Sequence, residues 1–226
     1  MEAFEQSGPV NTASVIAAAK KATPGVSHIV VASISGDSAI QTARQIPDKS
    51  IICVTCPQGM AWEVDKMQEG PFQDIPELAA IRDEWISRGQ DRVLMNVTPS
   101  NRQELESLNV RILQGTIPFF GPSFSIRLHL KQATSLDVIA KTLELISTGT
   151  LVCLECVLMA ADAGLIPEQE NVLALAGTEK GLDTAWIIRS STSANLFHPE
   201  KGSRFIELLA KPAVSQPPRM NIEYLR

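Results

Sequence analysis

Ile29-Val30-Val31-Ala32-Ser33-Ile34-Ser35-Gly36-Asp37-Ser38-Ala39-Ile40-Gln41-Thr42-Ala43-Arg44-Gln45 runs from an apolar, β-branched stretch, through hydroxyls and one glycine, into a segment with helical apolar spacing. It reads as strand, turn and helix. Pro47 stops the helix, and the next apolar run, Ile51-Ile52-Cys53-Val54-Thr55, completes a β-α-β unit. Strands joined through a helix pair in parallel with a right-handed crossover, so the expected class is α/β with a doubly wound start. The turn Ser33 to Ser38 admits two readings. Ser35 or Ser38 caps the orphan amides of the helix, or the turn is an anion seat in which glycine lets a ligand approach and the helix dipole favours negative charge.

Working outward, Asn11 or Thr12 caps a preceding helix to about Ala22, ended by Pro24-Gly25, and the residues before it read as a polar start. Beyond Thr55, Gln58 to Trp62 reads as a loop, Ile75 to Arg88 as a helix with Trp85 buried, and Arg92 to Val97 as an extra strand. A helix from Ser100 to Leu108 with Ser100 as cap leads to strand Val110–Leu113. The loop Gly115 to Pro122 either walls a pocket or covers the core. Leu136 to Ile146 is a helix capped by Thr134 or Ser135. Leu151 to Ala163 is a helix so apolar that it is expected to be buried on most sides, with Glu155 an exception that needs a partner, a cleft or solvent. Asn171 to Ala176 is a buried strand. The loop after it is too short for a crossover helix, so Ala185 to Arg189 is expected antiparallel. Phe205 to Leu209 reads as a short strand or a turn of helix.

The 226 residues suit one domain, spanning 1–226, with an insertion around 60–97 and an extended tail from Lys211 that carries Pro212, Pro217 and Pro218 and reaches a neighbouring subunit in a homo-oligomer. A net charge of -5 and 5% aromatic residues argue against a nucleic-acid partner. No run reaches membrane-spanning length and no leader opens the sequence, so a cytoplasmic protein with no membrane partner is expected. The Asn96-Val97-Thr98 sequon is then accidental.

Two C-x-x-C pairs, Cys53/Cys56 and Cys153/Cys156, resemble a metal framework. The first lies in a strand, where residues three apart point to opposite faces, and the second in an apolar helix, where cysteine is an ordinary core residue. No metal is expected. His28, His129 and His198 are dispersed, and no nucleophile–base pair is evident, so whether the protein is an enzyme stays open.

A second glycine-flanked turn, Gly177-Thr178-Glu179-Lys180-Gly181-Leu182-Asp183-Thr184, also leaves the carboxyl end of a strand. If the sheet winds from Ile29 through Ile51 to Ile112 and returns to set Asn171 on the other side, both turns face one crevice at the switch point. The stretch Asn11 to Thr55, together with Val157-Leu158-Met159-Ala160-Ala161-Asp162-Ala163-Gly164-Leu165-Ile166-Pro167 and Ala176 to Ala185, resembles the α/β C-terminal domain of pyruvate kinase, and more closely the stand-alone pyruvate kinase C-terminal-domain-like proteins. The resemblance implies a three-layer αβα sandwich, with a mostly parallel mixed sheet and an antiparallel last strand. It also implies a crevice for a small phosphorylated ligand, flavin mononucleotide (FMN) in the stand-alone group or a sugar bisphosphate in the allosteric domain. On this reading Ser33, Ser35, Gly36 and Ser38 hold the phosphate. Gly177, Thr178, Gly181, Asp183 and Thr184 form the opposing wall, Thr55 and Thr116 add polar contacts, and Trp62 either stacks on the ring or packs in a core or at the surface. The alternative is a non-enzymatic sensor of a sugar phosphate or nucleotide. Two departures stand out: the catalytic barrel is absent, and Cys56-Pro57 stands where the stand-alone group tends to carry paired histidines. Asp37 also replaces the basic residue common in pyruvate kinases.

Overall fold

The computed structural model describes residues 1–67 and 70–214. Strand β1 (Glu2–Phe4), hidden in what reads as a polar start, is followed by a single 3-10 turn at Pro9–Asn11 and helix α1 (Thr12–Lys21). Then come β2 (His28–Ala32), α2 (Asp37–Gln45) and β3 (Ser50–Thr55), the β-α-β unit expected from the opening stretch. β2 and β3 pair in parallel, Ile29 opposite Ile51 and Val31 opposite Cys53.

The segment after β3 holds the expected helix and strand, and the stretch read as a loop, Gln58 to Trp62, runs into a further strand. β4 (Ala61–Glu63), α3 (Pro71–Asp74), α4 (Pro76–Ser87) and β5 (Arg92–Leu94) surround a separate core. β4 and β5 form a two-stranded antiparallel sheet. Trp62, Phe72 and Trp85 meet there with ring centroids 5.3 to 5.9 Å apart, in the range of favourable aromatic pairs.

The main chain of the fold resumes with α5 (Pro99–Ser107), β6 (Arg111–Gln114) and a short helix, α6 (Gly121–Ser125), which continues as a π-helical turn at Ile126–Leu130. α7 (Ser135–Glu144), α8 (Thr148–Asp162), β7 (Asn171–Ala176), β8 (Thr184–Arg189) and β9 (Arg204–Pro212) complete it. Thr98, not Ser100, accepts the Asn101 amide at the start of α5, and neither Asn11 nor Thr12 caps α1 through its side chain. Thr134 caps α7 in a reciprocal capping box with Asp137.

The seven-stranded sheet runs β1-β9-β8-β7-β2-β3-β6. β7, β2, β3 and β6 are mutually parallel, and β8 runs against them. The chain thus winds outward from β2 to β6 and restarts at β7 on the opposite side of β2, which makes the carboxyl ends of β2 and β7 the switch point. β9 is longer than the sequence suggests. It pairs antiparallel with β8 and parallel with β1, so Lys211 and Pro212 close an internal strand pairing instead of opening a free tail. Pro217 and Pro218 lie outside the described residues.

The unbroken apolarity of β2 and β3 follows from helices on both faces. Ile29, Val31, Ile51 and Cys53 pack toward α1, α2 and α5 with Val15, Ile16, Ala39 and Leu105. Val30, Ile52 and Val54 alternate to the other face, against α8 with Cys153, Val157 and Leu158. The result is the three-layer αβα sandwich with a mostly parallel mixed sheet. Among the described residues no helix is long and apolar enough to cross a membrane.

Candidate functional site

A cavity of about 1220 Å³ opens at the carboxyl ends of β2, β3 and β7. Its lining is largely apolar, with Phe119, Phe120, Leu151 and Met159 on one side and Ile34, Met60 and Met95 on another. The loop Gly115 to Pro122 therefore walls a pocket, through Ile117, Phe119 and Phe120, while Thr116 is not among the lining residues. Instead Thr116 fills the space beside Gly121, where an added Cβ would meet its Cγ2 at 2.5 Å.

The first turn borders this cavity. Ser33, Ser35, Ser38 and Thr55 line it, and Gly36 sits behind at φ +99°, where an added Cβ would lie 3.1 Å from Asn101 Cβ and Leu105 Cδ1 of α5. The capping is done from upstream. Ser33 Oγ accepts from the amides of Ser38 (3.1 Å) and Ala39 (3.4 Å), so neither Ser35 nor Ser38 is the cap. Thr55 Oγ1 donates to the Ile34 carbonyl at 2.9 Å and Asn101 Nδ2 to the Ser35 carbonyl at 2.9 Å, which brace the turn from β3 and α5. Sequence reasoning missed Asn101, since nothing local links it to a turn 66 residues away.

An anion already stands at this turn. Asp37 opens α2, accepting from Ser35 Oγ at 2.5 Å and from Asn101 Nδ2 at 2.7 Å. A carboxylate at a helix N-terminus is favoured by the dipole, and this one competes with any ligand anion for the same field. Ser38 Oγ, in contrast, makes no hydrogen bond among the described residues and lines the cavity.

The second turn divides. Gly177, Glu179, Lys180 and Gly181 line the cavity, whereas Thr178, Asp183 and Thr184 do not. Asp183 is fully buried and accepts from the amides of Gly8 (2.9 Å) and Thr178 (3.1 Å) and from Thr184 Oγ1 (2.8 Å). Thr184 continues to the Ser147 hydroxyl at 3.2 Å, at the cap of α8. Leu182 N donates to Thr12 Oγ1 at 2.9 Å. Burial pushes the Asp183 carboxyl above its ordinary range, opposed by the bonds from Gly8, Thr178 and Thr184. Thr178, Asp183 and Thr184 tie the N-terminal segment, α8 and β8 together and do not form a wall of the cavity.

Trp62 is a core residue of the inserted unit, 8% exposed, not a ring-stacking surface. Its Nε1 donates to Glu179 at 3.1 Å, and Lys180 Nζ lies 5.9 Å from its ring and 5.4 Å from that of Trp85. The insertion is thereby fastened to the second turn. Burial raises Glu179, opposed by the Trp62 bond.

Across the cavity Glu155 of α8 is 6% exposed, and its Oε1 accepts from the Phe119 amide at 3.2 Å. Burial pushes it up to about 8, the Phe119 bond opposing and Glu144 adding to the rise. Glu144 is also raised by burial, against its partner Lys141 at 2.7 Å. Arg127 pairs with Asp137 at the same rim. Cys56 and Cys156 line the cavity with thiols held neutral by burial, Cys56 pushed up to about 11 and Cys156 raised well above the ordinary thiol range. Among the described residues no group of three or more His, Cys, Asp or Glu is arranged to hold a metal.

A mostly parallel sheet that reverses its winding at β2/β7, with glycine turns leaving both strands, is the arrangement the resemblance implies. Residues 11–188 match the family model described as pyruvate kinase, alpha/beta domain. The chain belongs to this family. The match to the pyruvate kinase α/β domain includes the inserted unit and ends within β8, so β1 and β9, which extend the sheet beyond β8, lie outside it.

Proposed function

We propose that the cavity binds a phosphorylated flavin, FMN, with its ring against the apolar wall of Phe119, Leu151 and Met159 and its phosphate toward Ser33, Ser35 and Ser38. The observation that carries this reading is the cavity itself: apolar over most of its lining, bordered by a helix-opening turn, and at about 1220 Å³ larger than most small-ligand pockets. A sugar is a poorer match to such walls, because its hydroxyls would lose water without gaining partners.

The residues fit the group in part. Ser38 Oγ has spare hydrogen-bonding capacity at the turn, and Lys180 supplies a cation on the facing side. Asp37 opposes a phosphate, which limits how much the phosphate adds to affinity. Bound flavin would supply redox or photochemistry, and the chain's own part is to hold the ring dry and fix its edge. No residue pair on the cavity wall supports a named reaction.

The test is a titration of purified protein with FMN and with riboflavin, read by quenching of flavin fluorescence. Tighter binding of FMN is expected. Equal affinities would remove the phosphate from the account, and no binding of either would remove the flavin. Titration of a sugar bisphosphate by thermal shift addresses the sensor alternative, since a ligand of the native state raises the melting point.

A further inference from the structure

Among the described residues, Glu155 is the one carboxyl that α8 brings to the cavity. Its neighbours on α8 are Leu151, Val152, Leu154, Cys156, Leu158 and Met159, and the helix is otherwise apolar from Leu151 to Ala161. A leucine there would cost less than a carboxyl group, because a buried acid gives up its hydration. One oxygen, Oε1, is satisfied by the Phe119 amide. Oε2 has no hydrogen bond among the described residues, and the residue lines the cavity. A carboxyl held on one oxygen and open to a ligand on the other is a recognition group.

We infer that Glu155 is a hydrogen-bond donor on the α8 wall of the cavity, and that it selects ligands presenting a carbonyl oxygen or an unprotonated ring nitrogen to that wall. The inference rests on the flavin reading, a flavin being a heterocycle with both kinds of acceptor. The charge state supports it: burial pushes Glu155 up to about 8, so at neutral pH it carries its proton. With Oε1 accepting from Phe119, the proton sits on Oε2. The groups that face it keep it there. Glu144 of α7 adds to the rise, with its charge shared by Lys141. Glu179 of the second turn is itself raised, the thiols of Cys56 and Cys156 are neutral, and the Arg127 charge is taken by Asp137. Above the Glu155 titration the donor becomes an anion, which repels the acceptor it served.

The experiment is an FMN fluorescence titration of wild type, Glu155→Gln and Glu155→Leu from about pH 6 to about pH 10, with affinities expressed relative to Glu155→Gln so that titration of the flavin cancels. Glutamine keeps a donor at the same place and does not ionise. Relative wild-type affinity is expected to be level at low pH and to fall about tenfold per pH unit well above the titration point. Glu155→Leu, a replacement suited to its apolar surroundings, should fold and bind FMN about tenfold more weakly at neutral pH. A flat ratio across the range, or full affinity in Glu155→Leu, overturns the inference and leaves the flavin reading standing. Failure of all three proteins to bind FMN overturns both.

Discussion

The turn after β2 and the turn after β7 carry the same signature in sequence, glycine and hydroxyls at the carboxyl end of a buried strand, yet they do different work. At the first, the hydroxyl that caps the helix belongs to Ser33, and Ser35 and Ser38 remain at the cavity edge. At the second, Asp183, itself with no exposure, gathers the Gly8 and Thr178 amides and the Thr184 hydroxyl into a buried knot. What separates them is the element behind each turn. α5 supports the first from outside, through Asn101, whereas the N-terminal segment and the cap of α8 close over the second. At the first turn the chain leaves the Ser38 hydroxyl open to the cavity, whereas at the second the Asp183 carboxylate and the Thr184 hydroxyl are bonded within the fold.

Substitutions can break this contrast, and the largest effect belongs to the knot. Asp183→Ala strands two buried amides and should cost about 4 kcal/mol in denaturant unfolding; a loss under ~1 kcal/mol would mean the knot is replaceable. Gly181→Ala comes next. Gly181 adopts φ +75°, and a Cβ would lie 2.4 Å from Pro9 Cα, so a loss of about 3 kcal/mol is expected in the same assay. Ser33→Ala removes a cap and should cost about 1 kcal/mol. Ser33 also lines the cavity, so weakened FMN binding much beyond that figure would mark direct contact with the ligand.

The smallest effect is also the sharpest for the first turn. Asp37→Asn removes the anion that competes for the α2 terminus, and it should raise the preference for FMN over riboflavin about threefold at low salt. An unchanged ratio would move the phosphate away from this turn.

The β-α-β unit and the reversal at β2/β7 were legible because strands buried on two faces and a helix stopped by Pro47 announce themselves locally. The antiparallel course of β8 was legible from loop length alone. β1 was not, since Glu2–Phe4 gains strand character only by pairing with β9 at the far end of the chain. The inserted unit was half visible. Trp85 reads as buried, but its partners Trp62 and Phe72 converge only when β4 and β5 pair. In the site, Ser33, Ser35, Ser38, Thr55, Gly177 and Gly181 are brought to one cavity. Gly36, Thr116, Thr178, Asp183 and Thr184 are not, and residue type could not separate the two sets because hydroxyl and carboxyl groups serve a knot as well as a ligand.

The most direct measurement is amide chemical-shift mapping of the native protein by NMR as FMN is added. The account predicts shifts at Ser35 to Ala39 and at Gly177 and Lys180, with Asp183 and Thr184 unmoved. Shifts at Asp183 and Thr184 without any at Ser35 to Ala39 would contradict it.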